Sequence, residues 1–177
     1  MAAPAAWQDR WLAALPERID WLRTTAASRG GPSSVELDLS GASLGGLWAW
    51  ARRLFGRRDA DVPVDPTRLP AWFGDQAWAP RWWDDDTIWL IDAVAGYFAE
   101  SLRAAAPGGH WARGHDEIDP THYLHEGQPV LVGVGGDELN PLALVENVVG
   151  RVWTGKADDD DLCRLWDLYT TQHRHGG

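Results

Sequence analysis

Thirteen tryptophans in a chain of 177 residues constrain the fold more than any other feature. Each indole offers a broad apolar face and one N–H that needs an acceptor once water is excluded, so most of them must lie in a core, with a few left at the surface. The length falls within the usual span of one domain, and with 45% of residues apolar the chain can bury a sizeable core without cross-links. No internal repeat and no interdomain linker interrupts it, so one compact domain is expected.

Charge narrows the function classes. Sixteen basic residues stand against 26 acidic ones, a net charge of −10, and a phosphate backbone would be repelled. The imbalance belongs to the C-terminal two-thirds, because residues 1–60 carry more arginines than acids. Cys163 is the only cysteine, which rules out an intrachain disulfide or a cysteine-based zinc cluster and suits a reducing compartment, so the cytoplasm is expected. The segment Met1 to Trp11 has no basic start followed by an apolar run, so no secretory leader is expected. The most apolar stretch, Thr87 to Phe98, is too short to span a membrane and carries Asp92.

Periodicity sets out the elements. Residues 5–28 read as helix, with Trp7, Trp11, Ala14, Arg18 and Trp21 on one stripe, Leu12, Leu15, Ile19 and Leu22 on the next, and a kink or restart at Pro16. Gly30, Gly31 and Pro32 stop it. Val35, Leu37 and Leu39 alternate with Glu36 and Asp38, the pattern of a half-exposed strand. Ser40 or Ser43 then caps a helix from Leu44 to Phe55. Four prolines, Pro63, Pro66, Pro70 and Pro80, make residues 60–83 a long irregular segment rich in tryptophan. Asp84 to Asp86 open a buried helix that Gly108 and Gly109 end. His110 to Arg113 and Pro129 to Val134 read as antiparallel strands. Asn140 caps a helix with Pro141 at its first position, and Asp158 to Asp161 begin a last helix reaching about Gln172. The fold class expected is α+β: about five helices around a small, mainly antiparallel sheet, with a long Pro/Trp-rich loop.

Several motifs carry possible chemistry. Gly41-Ala-Ser-Leu-Gly45 matches the G-x-S-x-G nucleophile elbow and follows a predicted strand, but that strand carries Glu36 and Asp38 where a hydrolase needs one buried on both faces. A capping serine in a Gly-rich turn is the competing reading. His110, His115, Asp116, Glu117, Asp119, His122, His125 and Glu126 gather metal-ligating side chains in one loop without a recognised ligand spacing. Gly133, Gly135 and Gly136 hint at a dinucleotide loop, which Asp137 and Glu138 oppose by their charge. Arg52, Arg53, Arg57 and Arg58 among Trp48, Trp50 and Phe55 either grip an anionic partner or form internal ion pairs with the acidic C-terminal part. Trp72, Phe73, Trp78, Trp82 and Trp83 either present a docking surface or fold down on the core.

Three stretches, Leu37-Asp-Leu-Ser-Gly-Ala-Ser-Leu44, Gly96-Tyr-Phe-Ala-Glu-Ser-Leu-Arg103 with Gly108-Gly-His-Trp111, and Leu139-Asn-Pro-Leu-Ala-Leu-Val-Glu146, resemble a group of small actinobacterial proteins of unknown function. The resemblance spans residues 35–155 and implies an α+β domain with a helix, a short sheet and a following helix. It implies no catalytic residue.

The expectation is therefore a cytoplasmic, non-enzymatic interaction module, immunity- or adaptor-like, that binds another protein. Its contact surface would be acidic and aromatic: Trp72, Trp78, Trp82, Trp83, Asp84, Asp85, Asp158 and Asp159. No cofactor, nucleic acid or membrane is expected. The alternative is a small hydrolase or metal-dependent enzyme using Ser43 or the His110 to His125 loop.

Overall fold

The computed structural model describes residues 4–59, 61–70, 82–117, 125–135 and 138–175, with the side chains of 8–171 within those ranges. Helix α1 (Pro4–Ala13) and helix α2 (Leu15–Ser28) divide where the sequence places Pro16. Proline lacks the donor and its ring clashes with the preceding turn, so the chain restarts with Pro16 in the first turn of α2. Helix α2 buries Leu15, Arg18, Ile19, Leu22 and Ala26 and ends at Gly30, whose φ of +70° is the left-handed conformation that closes helices.

Residues 35–39 do not form the expected strand. Glu36 turns back, and its carboxylate accepts from Ser33 N at 2.8 Å and Ser33 Oγ at 2.7 Å. Asp38 Oδ1 accepts from Ser40 N at 2.9 Å, and Leu39 sits at φ +65°. Serine and carboxylate side chains offer the backbone local partners that outcompete a sheet ladder, and among the described residues no strand lies beside this segment. Of the alternating triad, Leu37 is buried, Leu39 is partly so, and Val35 is 84% exposed. Helix α3 (Ser43–Ala51) follows, shorter than the predicted Leu44 to Phe55, and its preceding residue Ala42 makes no side-chain cap.

The centre of the molecule is α4 (Asp85–Ala105), capped by Asp84, which accepts from Thr87 N at 2.7 Å. Fourteen of its residues are buried, and it packs against α2 as well as the two C-terminal helices. Helices α2 and α4 run antiparallel, since Leu15 lies against Gly96, Arg18 against Asp92 and Trp21 against Trp89. Gly96 makes the close approach possible, because a Cβ there would run into Leu15 Cδ1.

Strand β1 (His110–Arg113) pairs antiparallel with β2 (Pro129–Val132), and His110 stands opposite Val132. The glycines after β2 have a local task. Gly133 at φ +79° packs its Cα against the Gly108 carbonyl, where a Cβ would lie 2.6 Å from the oxygen. Leu139 then returns to exchange two backbone hydrogen bonds with Leu131 at 2.7 and 2.9 Å. Helix α5 (Pro141–Trp153) is capped as expected, with Asn140 Oδ1 accepting from Leu142 N and Ala143 N at 3.1 Å. Helix α6 (Asp161–His175) begins at the end of the aspartate run rather than at Asp158, whose N–H donates to Asp161 Oδ2 at 2.9 Å. The fold is α+β, a helical assembly with a two-stranded antiparallel sheet at its edge.

Candidate functional site

The residues expected on the contact surface divide into distinct roles. Trp72 and Trp78 lie outside the described residues. Trp82 is 55% exposed and Trp83 is buried. Trp83 belongs to the core because residues 56–58 run beside 82–84: Arg57 and Trp83 form a β-bridge, and Arg58 N donates to the Trp82 carbonyl at 3.0 Å. Its ring stacks at 16° on Trp153, over which the Arg57 guanidinium sits at 3.9 Å from the ring centroid.

The aspartates are engaged within the chain. Asp84 is a helix cap, and Asp85 is paired with Arg58 and, at 3.2 Å, with Arg68. Asp159 pairs with Arg52, and Asp158 with Arg164. The Arg164 hydrogen bond is what holds the Asp158 carboxyl below its usual range. Of the basic cluster, Arg52 pairs with the acidic C-terminal run, while Arg58 pairs with Asp85 and Arg57 lies on Trp153; Asp158, Asp160 and Asp161 pair with Arg151 and Arg164.

At Ser43 the geometry is that of a closed hydrogen-bond chain. Leu39 N donates to Tyr97 Oη at 2.8 Å, and Ser43 Oγ donates to the Ser40 carbonyl at 2.6 Å. The 2.7 Å contact between Ser43 Oγ and Tyr97 Oη is then donated by the tyrosine. Burial pushes the Tyr97 phenol upward, so it keeps its proton. An elbow serine sits strained between strand and helix, whereas no strand precedes Ser43 and Leu39 is the only non-glycine at positive φ among the described residues.

In the histidine loop, His110 is close to its own turn, with Nδ1 3.0 Å from the Gly108 carbonyl. His115 Nδ1 lies 2.9 Å from Glu126 Oε1. His125 Nδ1 accepts from Asn140 Nδ2 at 3.1 Å, and burial lowers the His125 pKa, which favours the neutral ring that this bond requires. Asp119 and His122 fall outside the described residues. Among the described residues, no three His, Cys, Asp or Glu side chains are gathered to hold a metal ion.

One concavity lies where no motif marked it. Between α1, α2 and α4 lies a cleft of about 500 Å³, walled by Trp11, Trp21 and Trp89. On its floor Arg18 Nη1 donates to both oxygens of the fully buried Asp92 at 2.6 and 2.7 Å, and Trp11 Nε1 adds a bond of 2.8 Å to Oδ1. The guanidinium also lies 4.4 Å from the Trp11 ring centroid and donates through Nη2 to the Trp11 carbonyl. Both charges are thus compensated in an apolar setting, and the floor is fixed. Arg18 and Asp92 are each a lone charge within an apolar stripe, a pattern that signals a buried pair once the two helices are known to touch.

Above the floor, Trp21 and Trp89 meet across the two helices at 6.3 Å and 45°. Trp89 is anchored by its Nε1 bond of 2.8 Å to the Arg68 carbonyl, whereas Trp21 is 39% exposed. The cleft continues past this pair as a second hollow of about 450 Å³ that shares Trp21, Asp86 and Trp89 and ends at Arg29 and Trp50. The two hollows make one groove along α2 and α4, with two tryptophan rings at its middle.

No family model, curated protein or solved structure matches the chain. Among the described residues no helix is long and apolar enough to cross a membrane.

Proposed function

We propose that this protein is a cytoplasmic, non-enzymatic interaction module that receives a segment of a protein partner in the groove between α2 and α4. The observation that carries the reading is the exposed Trp21 ring set against the anchored Trp89 over a cleft of about 500 Å³. Tryptophans in such settings dominate binding energy because they bury a large area at small entropic cost. Of the aspartates first expected to make the contact, Asp84 caps a helix and Asp85, Asp158 and Asp159 lie against arginines of the same chain, which moves the reading from the acidic runs to the aromatic groove. The lone cysteine, partly buried and with its thiol pKa raised by burial, suits a reducing compartment.

The test is capture from native lysate by the tagged chain, in parallel with a Trp21→Ala, Trp89→Ala variant and a Trp82→Ala control. The reading expects a stoichiometric protein retained by the wild type and the control and lost from the groove variant. Equal capture by the groove variant would overturn it.

A further inference from the structure

We infer that the groove selects a basic segment of its partner, with an arginine side chain laid on Trp21 and Trp89 and held by Glu17 and Asp86. The inference rests on the groove reading and adds the chemistry of the occupant. Each wall carries the same pair of groups. Glu17 precedes Trp21 by four residues on α2, and Asp86 precedes Trp89 by three on α4, so on each helix a carboxylate shares the face of its tryptophan one turn away. Because the helices are antiparallel, the two carboxylates flank the ring pair from opposite ends, about 10 Å apart along the axis at 1.5 Å per residue.

The charges around the rings favour a cation. The main hollow is lined by three carboxylates and two guanidiniums. Arg18 is neutralised by Asp92, and Arg10 is itself engaged. Asp86 has Arg29 at 3.8 Å, but both side chains are more than half exposed, so that pair is weak and exchangeable. Glu17 is exposed in the first turn of α2. The net charge of −10 draws a basic partner from a distance.

The rings themselves select the shape. The two rings meet at 6.3 Å and 45°, and Trp21 stays 39% exposed, so a planar guanidinium can stack on the part of that ring its neighbour leaves uncovered. An ammonium lacks that plane, and an anion meets two carboxylates and the negative faces of two indoles.

The experiment uses the full chain labelled with nitrogen-15 and follows the indole N–H resonances, those of Trp21 and Trp89 being assigned by single Trp→Phe variants. The probes are the blocked tripeptide glycyl-arginyl-glycine and its citrulline counterpart, which keeps the shape and drops the charge. The arginine peptide should move both resonances saturably, with the citrulline peptide binding about tenfold more weakly. A Glu17→Gln, Asp86→Asn variant should erase most of that difference, and so should high salt. Equal binding of the two peptides, or no shift from either, overturns the arginine inference. The groove reading is judged separately by the capture experiment, which can succeed with a partner that brings no arginine.

Discussion

The cleft floor makes a quantitative prediction. Asp92→Asn keeps an oxygen for Trp11 Nε1 but removes the charge from a site with no exposed surface, leaving the Arg18 guanidinium buried without its counter-ion. Breaking a buried pair from one side costs about 3–5 kcal/mol. In a chain of this size about 1 kcal/mol corresponds to 2–4 °C in Tm, so Asp92→Asn should melt roughly 6–20 °C below the wild type. Arg18→Met should cost a similar amount, because it strands the carboxylate and also removes the donor to the Trp11 carbonyl. With both charges gone no uncompensated ion remains, so the double variant should be no less stable than the worse single variant. The coupling between the two sites should then reach at least about 3 kcal/mol. Urea unfolding at neutral pH measures all four chains, with the midpoint read at constant m. Additivity to within about 0.5 kcal/mol, or a cost below about 1 kcal/mol for Asp92→Asn, would refute the view that this pair holds the floor of the groove.

Other sites make independent predictions. Burial raises the Glu146 carboxyl from its ordinary 4.5 to about 7. The folded chain therefore holds a proton that the unfolded chain releases between those pH values, and stability falls as pH rises through the window. The side chain is only partly buried, so the effect is about 1–2 kcal/mol. Glu146→Gln should accordingly stabilise the chain at pH 8 and change little at pH 4, as urea titrations at the two pH values would record. Tyr97→Phe removes the acceptor for Leu39 N and the donor to Ser43 Oγ. It should cost about 1–3 kcal/mol, with amide exchange accelerated at Leu39; unchanged exchange there would count against the hydrogen-bond chain. Asn140→Ala strips two backbone donors of their acceptor at the start of α5 and should cost about 1–2 kcal/mol in thermal unfolding.

Helices that state their own ends were legible in the sequence. Pro16, Asp84 and Asn140 each act through local backbone chemistry, and each marks a helix start to within a residue or two. The antiparallel strands at His110 and Pro129 were legible as well, the second from a proline at its first position, where a strand tolerates one. Alternation at Val35, Leu37 and Leu39 misled because a strand needs a neighbour, which periodicity does not report, whereas Ser33, Glu36, Asp38 and Ser40 satisfy the backbone locally. The groove was illegible for a different reason. Its parts, Glu17 and Trp21 on one helix and Asp86, Trp89 and Asp92 on another, are separated by more than sixty residues and meet only through antiparallel packing at Gly96. The acidic runs drew attention because charge is conspicuous in a sequence, while two of the arginines set against them, Arg52 and Arg58, lie far away along the chain.

Site-specific crosslinking tests the central claim most directly. A photoreactive phenylalanine analogue is placed at Trp21 in one sample and at Asp159 in another, and both are irradiated in the same lysate. The groove account predicts one protein crosslinked in high yield from position 21 and absent from position 159, an exposed site outside the groove. Crosslinking from position 159 with none from position 21 would contradict it and return the contact surface to the acidic end of the molecule.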